Sequence, residues 1–358
     1  MAMPAGQKMF EDKRDYLRVH FGASNQFSNY HYFWLRHNCS CCVHDTTRER
    51  VLCPSQVALD IRPTDIHSIE GEGIRLVWED GHQSNFSLDW LLDHAYARNG
   101  LVTDIQAQDL SLITAQYSDC ADHWVATCRQ YLDEKGAILV RGCPLDTEQL
   151  VACLTEKEFE LRDSHFGYIE DLKTDNTTNK NTDQLGYTNA TVNLHTDQPF
   201  IKRPPRFQLL QCIQKADSGG ESMLADGRQA AHYLRDLDRL AFSALSGIPV
   251  LFHRKQKNFE SKMMVPVLSF EDGQFRQVRS SYFTLAPQAT SFDQMAQWYR
   301  AYQQFTKIVE DPVFQFRVLL HPHDFILYDN YRMLHGRTAF TGPRWMKGIY
   351  LDDQQQLV

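Results

Sequence analysis

The sequence predicts a mainly β protein with flanking helices, its larger part a sandwich or jelly roll. Short apolar segments separated by turn signals recur at 206–213, 221–226, 247–253, 263–270, 275–283, 314–320, 324–330 and 345–352. Helical patterns interrupt them only at about 227–245 and 291–309, too rarely for the strand–helix alternation of a parallel sheet. Neither a GxGxxG nor a Walker A motif occurs, so the nucleotide-binding fingerprints are absent.

At about 150 residues per domain, a chain of 358 residues suggests two units. The boundary falls between 100 and 115 and is set here as 1–108 and 109–358. The first unit reads as small and β-rich. Segments 74–80 and 82–91 form a hairpin about Asp80-Gly81, and a helix over 90–97 stops near Asn99-Gly100. The second unit opens with a helix over 119–134 and a buried strand at 136–142, and a capped helix follows from Asp146-Thr147. The stretch 171–184 is almost free of apolar residues and reads as a loop, a candidate lid.

Charge is balanced toward acid, with 37 Lys and Arg against 45 Asp and Glu, a net of −8. A dedicated nucleic-acid or anionic-membrane binder would show a basic excess. No apolar run approaches the ~20 residues of a membrane helix, and no secretory leader is visible, so the expected location is cytoplasmic. Nine cysteines, an odd number, point to reduced thiols and not to a disulfide framework.

His195-Thr196-Asp197 is the only H-x-D among fifteen histidines. In extended chain, residues two apart point to one side, so imidazole and carboxylate converge. His335 follows the apolar segment 324–330 after a short polar turn and can reach the first pair only through the fold. Two histidines and one carboxylate fill three positions on a metal and leave three open, the layout of non-haem Fe(II) oxygenases; a hydrolytic zinc site uses the same ligand types. Arg344 opens a strand nine residues after His335, where its guanidinium could fork onto a carboxylate.

These residues carry a resemblance. The chain resembles the γ-butyrobetaine hydroxylase family of Fe(II)/2-oxoglutarate oxygenases, within the taurine-dioxygenase-like superfamily. YFWLRHNCSCC and DGHQSNFSLDWL resemble the family's small N-terminal zinc domain. GYTNATVNLHTDQPF, PPRFQLLQCI, GGESMLADG, DFILYDNYRMLHGR and RWMKGIYLD recur in family order, so the likeness spans nearly the whole chain. It implies a double-stranded β-helix catalytic domain in which His195, Asp197 and His335 hold iron and Arg344 binds the distal carboxylate of 2-oxoglutarate. Ser222 matches a hydroxyl that assists that carboxylate, and Gln184 stands where the family has a cosubstrate Asn. The implied reaction couples O2 and 2-oxoglutarate to hydroxylation of an unactivated C–H bond in a small soluble molecule, with ascorbate as a candidate reductant and a homodimer as a candidate assembly. Structural zinc is implied at Cys39, Cys42 and His82, with Cys41 or His44 as the remaining ligand.

The implied substrate is betaine-like, a trimethylammonium acid or phosphonate. Tyr187 and Tyr350 match two aromatic positions near the family's cation cage. Position 198, aromatic in the family, is Gln198 here, and the family's substrate Asn falls near Ser280-Ser281. No aromatic stands in 171–184. Arg279, on an expected barrel strand, and the basic run 253–257 are the candidate anion anchors.

Overall fold

The computed structural model describes residues 9–21, 26–43, 51–69, 73–95, 101–103, 108–164, 167–174, 185–256 and 259–354. The chain forms two compact units, Met1–Ile105 and Gln106–Val358. Among the described residues, no helix is long and apolar enough to cross a membrane.

The first unit contains a four-stranded sheet, Phe10–Asp12, Tyr16–Phe21, Gln26–His31 and Leu101–Thr103, and a three-stranded sheet, Pro63–Ile69, Gly73–Trp78 and Gln83–Ser87. Leu17, Val19, Tyr30, Leu76 and Trp78 belong to one apolar cluster. The Asp80-Gly81 hairpin closes with the Trp78 N–H donating to the His82 carbonyl at 2.8 Å, and Gly81 takes φ +80°. Ser87 caps the next helix by accepting from the Trp90 N–H. That helix spans Leu88–Asp93, shorter than the expected 90–97, because His94 already leaves helical geometry at its C-cap.

The second unit is built on a seven-stranded sheet. Its order is Phe159–Arg162, Arg344–Asp353, Phe207–Gln214, Phe325–Asp329, Ala137–Arg141 and Thr114–Gln116, with Ile169–Thr174 also pairing Arg344–Asp353. A four-stranded sheet runs Val192–His195, Met333–Arg337, Ser222–Asp226 and Gln315–Val318. Period-two alternation sends successive residues of the large sheet into two different cores. Ile138, Val140, Phe325 and Leu327 pack with Trp124, Leu132, Leu150 and Leu154 of the flanking helices. Their neighbours Ala137, Leu139, Ile326 and Tyr328 pack instead with Leu224, Phe316, Val318 and Met333 of the small sheet. Both faces of the large sheet are therefore buried, which is why its strands read as continuous apolar runs.

Segments of the second unit also differ from expectation. Residues 171–174 are not loop but the end of the strand Ile169–Thr174; Glu170 and Thr174 are buried, yet their polarity hides the alternation. The expected helix over 227–245 is two helices, Gly227–Leu237 and Arg239–Gly247, because Asp238 caps the second by accepting from the Ala241 N–H at 2.9 Å. The strand expected through 283 stops at Val278, so Arg279 lies beyond it.

Candidate active site

Two strands of the small sheet create the site. Val192–His195 pairs antiparallel with Met333–Arg337 in a register that sets His195 directly across from His335. The ring centroids lie 4.2 Å apart. Gly336 permits this approach, since a Cβ there would meet the Val192 carbonyl oxygen at 2.6 Å. Asp197 follows two residues after His195, its Oδ1 3.4 Å from His195 Nε2 and its Oδ2 3.8 Å from His335 Nε2. One ligand atom from each of the three lies within 4.8 Å of the others. Cis ligands at bonds near 2.1 Å around an octahedral ion stand about 3 Å apart, so the set closes onto one ion with small side-chain movements.

Hydrogen bonds orient these groups. The His195 Nδ1–H donates to the Asn193 carbonyl at 2.9 Å, which leaves the Nε2 lone pair facing Asp197. The buried side chain of Asn330 grips the backbone of Asp197 from both sides. Its Oδ1 accepts from the Asp197 N–H at 2.8 Å, and its Nδ2 donates to the Asp197 carbonyl at 3.1 Å and to the Pro205 carbonyl at 3.0 Å. The Tyr350 hydroxyl donates to Asp197 Oδ2 at 2.7 Å. Burial, reinforced by His195, pushes the His335 pKa down to about 3, so the ring is neutral. Burial would raise the Asp197 pKa, but His335, His195 and the Tyr350 hydroxyl outweigh it and hold the carboxyl below the usual range.

The triad opens into a cavity of about 120 Å³. Ser222, Gln198, Arg344 and Tyr350 line it. Arg344 is 8 % exposed and lies 5.5 Å from the Phe340 ring centroid, and among the described residues it makes no hydrogen bond or ion pair. Burial lowers its pKa to about 10, so it stays cationic at neutral pH. Lys347, by contrast, is taken by Asp171 at 3.2 Å. Arg337 also lines the cavity, but it donates to the carbonyls of Ala190, Leu185 and Thr188 and so fixes the approach to the first histidine.

Some expected site residues stand elsewhere. Tyr187 is not part of the lining; its hydroxyl donates to Glu170 Oε1 at 2.8 Å, and Glu170 faces the cavity. Arg279 is also absent from the lining. Its guanidinium donates to the carbonyls of Pro199, Ile201 and Lys202 and to the Gln277 side chain, which fastens the segment after Asp197. The cation that does reach the cavity from this side is Arg254, within the basic run singled out above. Gln184 and His44 lie outside the described residues. Asn330, Arg337 and Glu170 carried no separate signal. Arg337 was legible only as the residue two after His335, on the same face of one strand.

In the N-terminal unit, Cys39, Cys41, Cys42 and His82 form a second cluster with ligand atoms within 4.8 Å of one another. His82 Nε2 lies 3.4, 3.3 and 3.7 Å from the three sulfurs in that order. A tetrahedral zinc with ordinary Zn–S and Zn–N bonds sets such edges at about 3.6 Å. Cys39 and Cys41 sulfurs are closer, at 2.8 Å, so a bound ion would spread them. Arg36 contributes a local positive charge, donating to Asp80 at 2.8 Å and to the Cys42 sulfur at 3.5 Å.

A mainly β unit with two histidines, a carboxylate and a buried arginine, unpaired among the described residues, around one cavity has the makings of a mononuclear non-haem iron oxygenase. The chain belongs to the taurine catabolism dioxygenase TauD, TfdA family, whose model matches residues 97–350, and residues 9–92 match the model of the γ-butyrobetaine hydroxylase-like N-terminal domain. It is a 2-oxoglutarate-dependent dioxygenase that uses Fe(II) and 2-oxoglutarate. It is 30% identical to γ-butyrobetaine dioxygenase of Pseudomonas sp. (strain AK-1), over 94% of this chain and 90% of that one. It is 26% identical to the mitochondrial trimethyllysine dioxygenase of Bos taurus, over 96% of this chain and 84% of that one. In fold it is similar to asparagine oxygenase in complex with Fe(II), hydroxyasparagine and succinate, with a TM-score of 0.52, 15% identity and coverage of 64% and 79%. It is also similar to AAD-2 in complex with Mn(II) and N-oxalylglycine, with a TM-score of 0.50, 15% identity and coverage of 65% and 88%.

Because its partners are carbonyls, Arg279 is expected to act on stability. Replacing it with Ala strands several buried acceptors and should lower the free energy of urea unfolding by about 2–4 kcal/mol. Unfolding within about 0.5 kcal/mol of the parent would contradict this.

Proposed function

We propose that His195, Asp197 and His335 hold the Fe(II), that Arg344 with Ser222 receives the distal carboxylate of 2-oxoglutarate, and that the enzyme hydroxylates a small ammonium-bearing acid of the betaine or trimethyllysine type. In this reading the two packed sheets are a double-stranded β-helix. The observation that carries it is the meeting of the triad and the unpaired Arg344 in one cavity.

When bound, Fe(II) and 2-oxoglutarate supply the oxidation: O2 is consumed, the cosubstrate becomes succinate and CO2, and one oxygen atom enters a substrate C–H bond. The chain's own residues prepare this. His195 presents Nε2 because its Nδ1–H is held by the Asn193 carbonyl. Tyr350 holds one Asp197 oxygen and Asn330 fixes the backbone behind it, partners of the kind that set ligand geometry and basicity. A buried cation without a counter-charge is costly, and a cosubstrate carboxylate at Arg344 removes that cost. Leu172, Leu210, Met346 and Phe283 supply apolar walls that limit water.

Succinate release in air, with γ-butyrobetaine and trimethyllysine among the substrates offered, tests the reading. Arg344→Ala should raise the 2-oxoglutarate KM roughly 30-fold or more, the expected effect of removing one partner of a buried charge pair. An unchanged KM would assign the clamp to another residue.

We further propose that Cys39, Cys41, Cys42 and His82 bind a structural zinc that locks the Asp80-Gly81 hairpin to the segment after Tyr32–His37. The cluster's closed four-ligand set supports this, since it leaves no open position for chemistry. Metal analysis should return one zinc per chain, and Cys39→Ser should lose it and unfold at lower denaturant. Zinc-free protein of full stability would contradict the assignment.

A further inference from the structure

The cavity is charge-separated. Five charged residues line it among the described residues: Asp197, Glu170, Arg254, Arg337 and Arg344. Asp197 belongs to the triad, Arg344 is assigned above to the cosubstrate, and Arg337 clasps the segment before His195. Glu170 and Arg254, one of each sign, also face the cavity, and the reaction described so far assigns neither a role.

They come from different elements. Glu170 sits on the strand Ile169–Thr174 opposite Gly348 and is 7 % exposed. Its Oε1 accepts from Tyr187, so the carboxylate is aimed and not swinging. The missing side chain at 348 leaves the wall beside it open: a Cβ there would only graze Leu172, Leu210 and Glu170 at 3.7–3.8 Å. Arg254 arrives on the hairpin Val250–Gln256/Phe259–Val265, opposite Ser261. The Ser261 hydroxyl donates to the Phe200 carbonyl at 2.8 Å, which ties this hairpin to the segment just after Asp197.

Among the described residues, Phe200, Phe283 and Tyr350 are the phenyl and phenol rings of the lining, and the Tyr350 hydroxyl is committed to Asp197. A quaternary ammonium held by aromatic faces alone needs them on several sides. A buried carboxylate attracts a cation whatever its substituents, because the interaction is with charge.

We propose that Glu170 receives the cationic group and Arg254 the anionic group of a zwitterionic substrate, so that charge at both ends decides which C–H bond faces the triad. This rests on the oxygenase reading and adds to it the residues that read the substrate and the orientation they impose. The cavity discriminates by charge first and by degree of N-methylation second.

The test compares probes that differ in charge at one end or in N-methylation. γ-Butyrobetaine, its carba analogue 5,5-dimethylhexanoate (a tert-butyl group in place of trimethylammonium), its carboxamide and 4-aminobutyrate are each offered in air with 2-oxoglutarate. Succinate release gives the turnover and the apparent KM. In the parent enzyme, γ-butyrobetaine should be preferred over both the carba analogue and the carboxamide by roughly 30-fold or more in apparent KM, and 4-aminobutyrate should remain within about tenfold of it. Glu170→Gln, nearly isosteric, should collapse the preference over the carba analogue while keeping the preference over the carboxamide. Arg254→Gln should do the reverse. A generally damaged protein would lose both together, which overturns the assignment, as does a parent enzyme that treats the carba analogue and γ-butyrobetaine alike. Stimulation by none of the ammonium probes overturns it too. Succinate formed from 2-oxoglutarate without any probe separates that failure from failure of the oxygenase reading, because such turnover needs the triad and Arg344 alone.

Discussion

Everything at the site depends on one strand pairing. His195 and His335 are 140 residues apart in sequence and become direct neighbours only because Val192–His195 pairs with Met333–Arg337, in a register that shifts between Val192 and His195 and then sets the two histidines across from each other. A slip of one residue would turn both rings to opposite faces of the sheet. The register is pinned from the other side as well, since Met333–Arg337 also pairs with Ser222–Asp226, which places Leu224 across from His335 and Ser222 across from Arg337. Asp197 belongs to neither strand. It is held by Asn330, which directly follows the strand Phe325–Asp329 of the large sheet. The triad therefore forms where the two sheets meet, and the core between those sheets is what keeps its three members in place.

Buried arginines around this core divide by what saturates them. Arg279 and Arg337 spend their donors on carbonyls and act as clasps, one on the segment after Asp197 and the other on the segment before His195. Arg344 has an aromatic neighbour and no hydrogen-bonding partner among the described residues. Desolvation lowers the pKa of all three, yet of the three Arg344 alone faces the cavity with no group among the described residues to satisfy it. Sequence position alone would not separate these cases. The distinction lies in whether neighbouring backbone is already turned toward the guanidinium.

Much of the architecture was legible because apolar periodicity reports burial. The strands at Phe207–Gln214, Phe325–Asp329 and Arg344–Asp353, and the capped helix Thr147–Lys157 with its Asp146–Gln149 capping box, follow from pattern and cap chemistry. The strand Ile169–Thr174 did not, because its inward residues are Glu170, Leu172 and Thr174, and a strand that faces a polar cavity loses the apolar half of its alternation. The H-x-D motif and His335 could be named from residue type, whereas their opposition needed the fold. Arg279 makes a related point: its charge is visible in sequence, but the ring of carbonyls that it engages is not. Arg254, which lines the cavity, sits on a two-stranded hairpin whose position no local pattern specifies.

The central claim is that one ion and one 2-oxoacid share the cavity formed by His195, Asp197, His335 and Arg344. Anaerobic titration of the protein with Fe(II) and 2-oxoglutarate, followed by the visible charge-transfer absorption of an Fe(II)–2-oxoacid chelate, tests it most directly. The account predicts one equivalent of chelate in the parent protein, none in Asp197→Ala at the same concentrations, and in Arg344→Ala a chelate that forms only at much higher 2-oxoglutarate. A band of undiminished intensity in Asp197→Ala would contradict it.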